Sequence, residues 1–302
     1  MPWTLWKTYR EAWRMLRLCK PDVLLSKAGG ITIPVCLAAR RLHIPIVLHE
    51  SDAVQGRATR FLSRWASAVC YGFPTGENLE CGIGNQGTEP TFKIQHAKFI
   101  QTGNPIRPDI AKGSRKKGLS FTGLSGKRPI LLVLGGSQGA LAINDVIARR
   151  LDELLAFCDV AHVTGPGKGG GKKRRGYWHA PIVYDELPDL LAIADVALSR
   201  GGMGSIGELA ACMVPTIICP LRGVGHDHQQ KNAEAVAAMG GCVLLDQGRL
   251  DADIVTSVRQ FLHDPVKAKT TAKSLHSLYT ASASRHIAKI MMSCIAIPPS
   301  AA

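Results

Sequence analysis

Two segments between Ser199 and Asn232 gather residues suited to holding a phosphorylated, hydroxyl-rich ligand. They are SRGGMGSIGE (199–208) and, after an apolar run, HQQKN (228–232). Glycines in a turn let the backbone approach a ligand closely, and a helix starting just after the turn offers unpaired N–H groups at the positive end of its dipole. A diphosphate suits such a corner. Gly202 lies in the turn and Ser205 at the expected helix start; Glu208, one turn on, could accept from ribose hydroxyls, and His228, Gln229 and Asn232 could bracket a sugar. A plainer reading stands beside this one, because Ser205 and Glu208 also form S-x-x-E, a capping box that needs no ligand.

A second corner of the same kind is VLGGSQGALAIN (133–144). The backbone amides of its GGSQGA turn, with the Ser137 hydroxyl, make another anion-binding corner. Upstream, TGNPIR (102–107) places a single arginine, Arg107, after a Gly-Asn-Pro turn.

Corners of this type need strands to lead into them and helices to lead away. DVLLS, IPIVLHE and AVCYGFP read as strands separated by the helical PVCLAARRL and RATRFLSRWA, and the same alternation restarts at RPILLVL and continues to CVLLD. This is βαβ patterning, so the expected class is α/β with parallel sheets and active loops at the strand C-termini. Residues 75–97 lose the pattern and read as a polar, glycine-rich loop. Residues 111–127 turn to Lys, Arg, Gly and Ser, which marks an interdomain linker. The expected domains are 1–110 and 128–280, with 281–302 forming a helix that returns toward the first domain and a disordered tail.

A chain of 302 residues is long enough for two domains. With 46% hydrophobic and 20% charged residues it reads as soluble and globular. No run of about eighteen apolar residues predicts a spanning helix, and no signal peptide is evident, so a cytoplasmic location is expected. The nine cysteines form no C-x-x-C pair and no His/Cys cluster, which argues against a disulfide framework or a metal site. A net charge of +14 calls for an anionic partner, and without a nucleic-acid module the candidates are a phosphorylated substrate and anionic lipid. The first twenty residues read as an amphipathic helix. Trp6, Tyr9, Trp13 and Leu16 share one face, with Trp3 nearby, and Lys7, Arg10, Arg14 and Arg17 repeat one step round. Adjacent aromatic and basic stripes suit a helix lying on an anionic membrane surface; the alternative packs the aromatic face on a sheet.

Taken together, LHESDAVQG (48–56), TGNPIR (102–107), VLGGSQGALAIN (133–144), SRGGMGSIGE (199–208) and HQQKNA (228–233) resemble the MurG family of transferases, in the family's order and over nearly the whole chain. The resemblance implies a GT-B fold, two Rossmann-like domains facing across a cleft, the first one incomplete. It also implies inverting, metal-independent transfer of N-acetylglucosamine from UDP-GlcNAc to lipid I, with no cofactor, at the cytoplasmic face of the plasma membrane. By motif match Arg107 and Ser137 would contact the donor near its diphosphate, and the Tyr184 backbone would face the uracil. Glu208 would bind the ribose, His228 and Gln229 the sugar, and Asn232 would support their loop. His49, Glu50, Asp52 and Asn144 would lie on the acceptor side, and the first helix would dock on the membrane.

The family opens with a strand and a GGTGGH loop whose histidine is the favoured general base, whereas Met1 falls where the family already has its helix before KPDV. The catalytic base is therefore unassigned in this chain, with Glu50 and Asp52 as the carboxylates that could stand in. A late start or a separate chain supplying that segment would fit the pattern. The competing expectations are a nucleotide-sugar-binding subunit or inactive fragment without its own base, and a GT-B transferase for another lipid acceptor.

Overall fold

The computed structural model describes residues 2–27, 29–74, 99–136, 139–168, 174–223 and 227–295. The chain divides into two compact units, Met1–Pro105 with Thr280–Ala302, and Ile106–Tyr279. The loop expected at 75–97 and the tail after Ile295 lie outside the described residues.

In the first unit, strands β1 (Leu24–Ser26), β2 (Ile46–Glu50), β3 (Ala68–Tyr71) and β4 (Phe99–Gln101) form a parallel sheet in chain order. Side chains alternate across it as the pleat requires. Ile46 and Leu48 pack with Cys36 and Ala39 of α2 (Ile33–Arg41), with Leu62 of α3 (Arg57–Leu62), and with Leu16 of α1 (Pro2–Cys19). Val47 and Cys70 face the other way, onto Ile287, Ile290 and Cys294 of the C-terminal helix (Ala283–Ile295). Helix α2 starts readily because Pro34 occupies its first turn, where a missing N–H costs nothing.

The second unit is a six-stranded parallel sheet in the order β10-β9-β8-β5-β6-β7. Its strands are β5 (Ile130–Leu134), β6 (Asp159–Val163), β7 (Tyr177–Ala180), β8 (Val196–Ser199), β9 (Thr216–Ile218) and β10 (Val243–Leu244). Its helices are α4 (Arg115–Thr122), α5 (Leu141–Leu155), α6 (Leu187–Ile193), α7 (Met203–Ala211), α8 (His228–Ala238), α9 (Leu250–His263) and α10 (Pro265–His276). Strand β5, at the centre, is apolar throughout and its neighbours are mostly so, as expected for strands covered on both faces. Leu131, Val133, Leu198 and Ile217 meet Ile143 and Ile147 of α5 and Val258 and Phe261 of α9. From β5 the chain winds outward to β6 and β7, then returns to β8 on the opposite side of β5. The strand order therefore reverses between β5 and β8, and such reversals are where open α/β sheets bind ligands.

One expectation about organisation is corrected. Residues 111–127 are not a linker: α4 lies within this stretch and packs on α6 inside the second unit. Ser114 caps α4 by accepting from the Lys117 N–H, and the Ser114 N–H donates to Asp189 at 2.7 Å. The contact is made by backbone at glycines. A β-carbon on Gly113 would stand 1.8 Å from the Pro188 carbonyl oxygen, and one on Gly118 2.3 Å from that of Asp189. A helix that docks through glycine carries no apolar stripe, so its composition imitates a linker.

Candidate active site

Both glycine-rich corners sit at the reversal point of the second unit, one after β5 and the other after β8. In the first, Gly136 (φ 79°) and Gly139 (φ 66°) turn the chain into α5 through left-handed backbone. Ser137 lies outside the described residues.

The second corner starts its helix earlier than expected. Helix α7 begins at Met203 with Gly202 as N-cap, and no side chain caps it. Ser205 is thus the third helical residue rather than the cap, and the Ser205–Glu208 capping box does not form. The glycines allow the chain to enter the helix two residues sooner, which places Glu208 in the second turn, where a helix has no backbone donor to satisfy. The plainer reading of S-x-x-E is withdrawn.

Helix α8 closes on this turn. A β-carbon on Gly201 would stand 2.2 Å from the carbonyl oxygen of Gln229, and the buried Asn232 amide donates to the Gly201 carbonyl at 3.1 Å. Gln229 Oε1 accepts from the Leu221 N–H at 3.1 Å. His228 is the first residue of α8, preceded by Asp227 in left-handed backbone (φ 57°), whose carboxylate accepts from the Gly223 N–H at 2.7 Å. Sequence reasoning missed Arg200, the residue that anchors the turn from beneath. It is buried, and its Nη1 donates to the Cys219 carbonyl at 3.0 Å and to Gln247 at 2.8 Å. Burial pulls its guanidinium below the usual arginine range. An arginine directly before two glycines was the available signal.

Arg107 belongs to this unit as well. Ile106 packs against Gly207 of α7, 3.1 Å from where a β-carbon would be, so the segment before α4 lies along α7. Arg107 Nη1 donates to the Tyr184 carbonyl at 3.0 Å. Its Nε has the Asp109 carboxylate at 3.7 Å, and its Nη2, shielded from solvent, makes no hydrogen bond among the described residues. Burial pushes the Glu208 carboxyl above the usual glutamate range, and the Arg107 charge opposes that rise. Tyr184, Arg107 and Glu208 are thereby linked in one unit, with Tyr184 offering backbone while its ring is exposed.

The expected acceptor-side residues separate. Asn144 lies in α5 of the second unit, where its amide donates to the carbonyls of Thr164 and Lys168, each at 2.9 Å, and its Oδ1 accepts from His162 at 3.0 Å. It belongs to the second unit, whereas His49, Glu50 and Asp52 belong to the first. Those three follow one another at the end of β2 in the first unit. Glu50 is buried and hydrogen-bonded: it accepts from the N–H of Gly56 at 2.9 Å, the Thr59 hydroxyl at 2.5 Å and the Asp52 N–H at 3.4 Å. Gly56 is the N-cap of α3, so Glu50 ties the start of that helix to the end of β2. These contacts give Glu50 a structural task at the start of α3.

His49 is fully buried. Its Nε2 meets the Gly103 carbonyl at 3.1 Å, which requires the proton there and leaves Nδ1 to accept from Lys27 Nζ at 3.3 Å. Lys27 also donates to Ser51 Oγ at 2.7 Å. Burial, then the Lys27 charge, pushes His49 down to about 4, and burial lowers Lys27 against the pull of Glu50 and Asp52. Lys27 was not singled out in the sequence, since a lone lysine before a glycine pair gives no spacing to read.

Helix α1 divides its aromatics. Tyr9, Trp13 and Leu16 are half-buried beside Ala12, on the side packed against α2. Trp3 (74% exposed) and Trp6 (48%) instead share the outer stripe with Lys7, Arg10, Arg14 and Arg17. Trp3 and Trp6 stack at 5.3 Å, Arg10 lies 4.7 Å over Trp6 and Arg17 4.6 Å over Trp13. The single aromatic face expected from the sequence is therefore two half-faces. Among the described residues no helix is long and apolar enough to cross a membrane.

Residues 130–289 match the glycosyltransferase family 28 C-terminal domain, and residues 1–71 its N-terminal domain. The chain is 32% identical over 276 residues to the UDP-N-acetylglucosamine--N-acetylmuramyl-(pentapeptide) pyrophosphoryl-undecaprenol N-acetylglucosamine transferase 2 of Bacillus thuringiensis subsp. konkukian, covering 90% of this chain and 74% of that protein. A transferase of the same name, without the numeral, from Shouchella clausii is 35% identical over 259 residues, covering 85% and 69%. Among solved structures the fold is similar to MurG of Acinetobacter baumannii, with a TM-score of 0.70 and 22% identity over 97% of this chain and 79% of that one. It is also similar to the UDP-GlcNAc 2-epimerase of Neisseria meningitidis bound to UDP-GlcNAc, with a TM-score of 0.69 and 17% identity over 96% and 81%. The fold is GT-B, with two parallel-sheet Rossmann-like domains.

Proposed function

The chain belongs to glycosyltransferase family 28, and from that premise we propose that it transfers N-acetylglucosamine from UDP-GlcNAc to the muramoyl 4-hydroxyl of lipid I, giving lipid II. The observation that carries the donor assignment is the pair of glycine corners flanking the β5/β8 reversal. Two helix starts there offer amides and positive dipole ends to one diphosphate. Arg107, with hydrogen-bonding capacity left on its guanidinium, adds a cation for the departing UDP. Stabilising the leaving group in this way makes a metal unnecessary, and a direct displacement by the acceptor hydroxyl inverts the anomeric centre. Glu208 holds the ribose diol, the Tyr184 backbone faces the uracil, and His228 and Gln229 hold the sugar, on a turn that Asn232 and Arg200 keep in place. Ser137 joins the diphosphate contacts by motif alone.

The acceptor is assigned to the first unit, at the strand ends that carry His49, Asp52 and Lys27. Lipid I is membrane-embedded, and the outer stripe of α1 suits a peripheral position at the cytoplasmic face of the plasma membrane. The direct test is release of UDP from UDP-GlcNAc in the presence of a detergent-soluble lipid I analogue. Acceptor-dependent release is expected; no release with that acceptor, under conditions where a characterised family member turns over, rejects the proposal.

A further inference from the structure

Lys168 follows β6, and the neighbouring strand β5 leads into the glycine corner before α5. Its Nζ reaches the Gly139 carbonyl at 3.4 Å. A β-carbon on Gly139 would stand 2.6 Å from the Thr164 carbonyl oxygen and 3.0 Å from Lys168 Cδ, so the lysine stem lies directly against the turn. The backbone of Lys168 is fixed by a buried relay. Tyr177 donates its hydroxyl to His162 Nδ1 at 3.2 Å, His162 donates from Nε2 to Asn144 Oδ1 at 3.0 Å, and Asn144 donates to the Lys168 carbonyl at 2.9 Å. His162 and Asn144 are both buried, and every polar atom named in the relay has a partner. Burying such a network is costly unless it is fully satisfied, and once satisfied it fixes one conformation. Here it fixes the residue whose ammonium lies beside the glycine turn before α5.

We infer that Lys168 is a further binding residue for the diphosphate of the nucleotide sugar, with Asn144 and His162 as its positioning residues. The inference rests on the transferase reading above and adds a charge that the motif match did not assign. An ammonium is a compact charge with several donors, suited to a phosphate whose oxygens also meet backbone N–H groups. The relay explains why a side chain in a glycine-rich loop can act from a defined position.

The test is titration of the full chain with UDP and, separately, with uridine, for the wild type, Lys168→Ala and Lys168→Arg, with thermal unfolding as a check on folding. Loss of UDP affinity by about tenfold in Lys168→Ala, at the lower end of what a hydrogen bond to a charged group contributes, with uridine unchanged and much of the loss recovered in Lys168→Arg, is the expected result. His162→Gln should move UDP affinity in the same direction and leave uridine alone. Unaltered UDP affinity in Lys168→Ala, or equal losses for UDP and uridine, overturns the inference while leaving the transferase reading intact. A wild-type chain that binds no UDP removes both.

Discussion

Asn232 donates its side-chain amide to the carbonyl of Gly201 at 3.1 Å, in a place where Gly201 itself has no room for a β-carbon. The glycine turn before α7 and the start of α8 are therefore one mechanical piece. Removing the amide leaves a buried carbonyl without its donor, a loss of about 1–3 kcal/mol. Asn232→Ala is expected to lower stability by that amount and to raise the KM for UDP-GlcNAc more than it lowers kcat. Steady-state kinetics with a urea titration checks both.

Glu50 gives an opposite expectation. Its carboxylate accepts three hydrogen bonds, two of them from Gly56 and Thr59 at the start of α3, so Glu50→Gln should cost about 1–3 kcal/mol of stability while the folded fraction keeps the wild-type pH–rate profile. A shifted acid limb in that variant would return Glu50 to the chemistry. Asp52→Asn, measured alongside, tests the other carboxylate directly.

The parallel sheets and both glycine-rich strand-to-helix turns were legible in the sequence, because buried parallel strands are apolar runs and glycine turns leave a literal trace. What could not be read depends on contacts between distant segments. The docking of α4 through Gly113 and Gly118, the anchoring of Arg200 by Gln247, and the Tyr177–His162–Asn144–Lys168 relay each join residues whose spacing carries no pattern. Which aromatics of helix α1 are covered is hidden for a related reason. Amphipathicity shows that Trp6 and Trp13 lie near one another round the helix, but the position of α2 decides which of them is covered.

Two buried histidines are expected to make the chain less stable in acid. Burial pushes His49 and His162 each down to about 4 from an ordinary value of 6.5. Between those limits the unfolded chain binds protons that the native chain does not, so stability falls as pH drops from 6.5 toward 4 and is complete above 6.5. Each contributes up to about 3 kcal/mol of that loss. Urea midpoints across this range should decline in the wild type and decline less in His162→Gln.

Trp3, Trp6, Arg10 and Arg14 on the outer stripe of α1 predict binding to vesicles containing phosphatidylglycerol that weakens with salt. Co-sedimentation should drop several-fold in Trp3→Ala/Trp6→Ala and in Arg10→Glu/Arg14→Glu, with UDP affinity unchanged in both. Equal binding by all three proteins would assign the stripe no role at the membrane.

The location of the nucleotide is tested most directly by backbone hydrogen–deuterium exchange of the full chain with and without saturating UDP. Slower exchange concentrated in the turn and first helical residues after β5, in residues 201–206, and at the start of α8 is the predicted outcome. Protection that leaves both glycine corners unchanged, or that falls mainly in the first unit, would contradict the assignment of the diphosphate to the β5/β8 reversal.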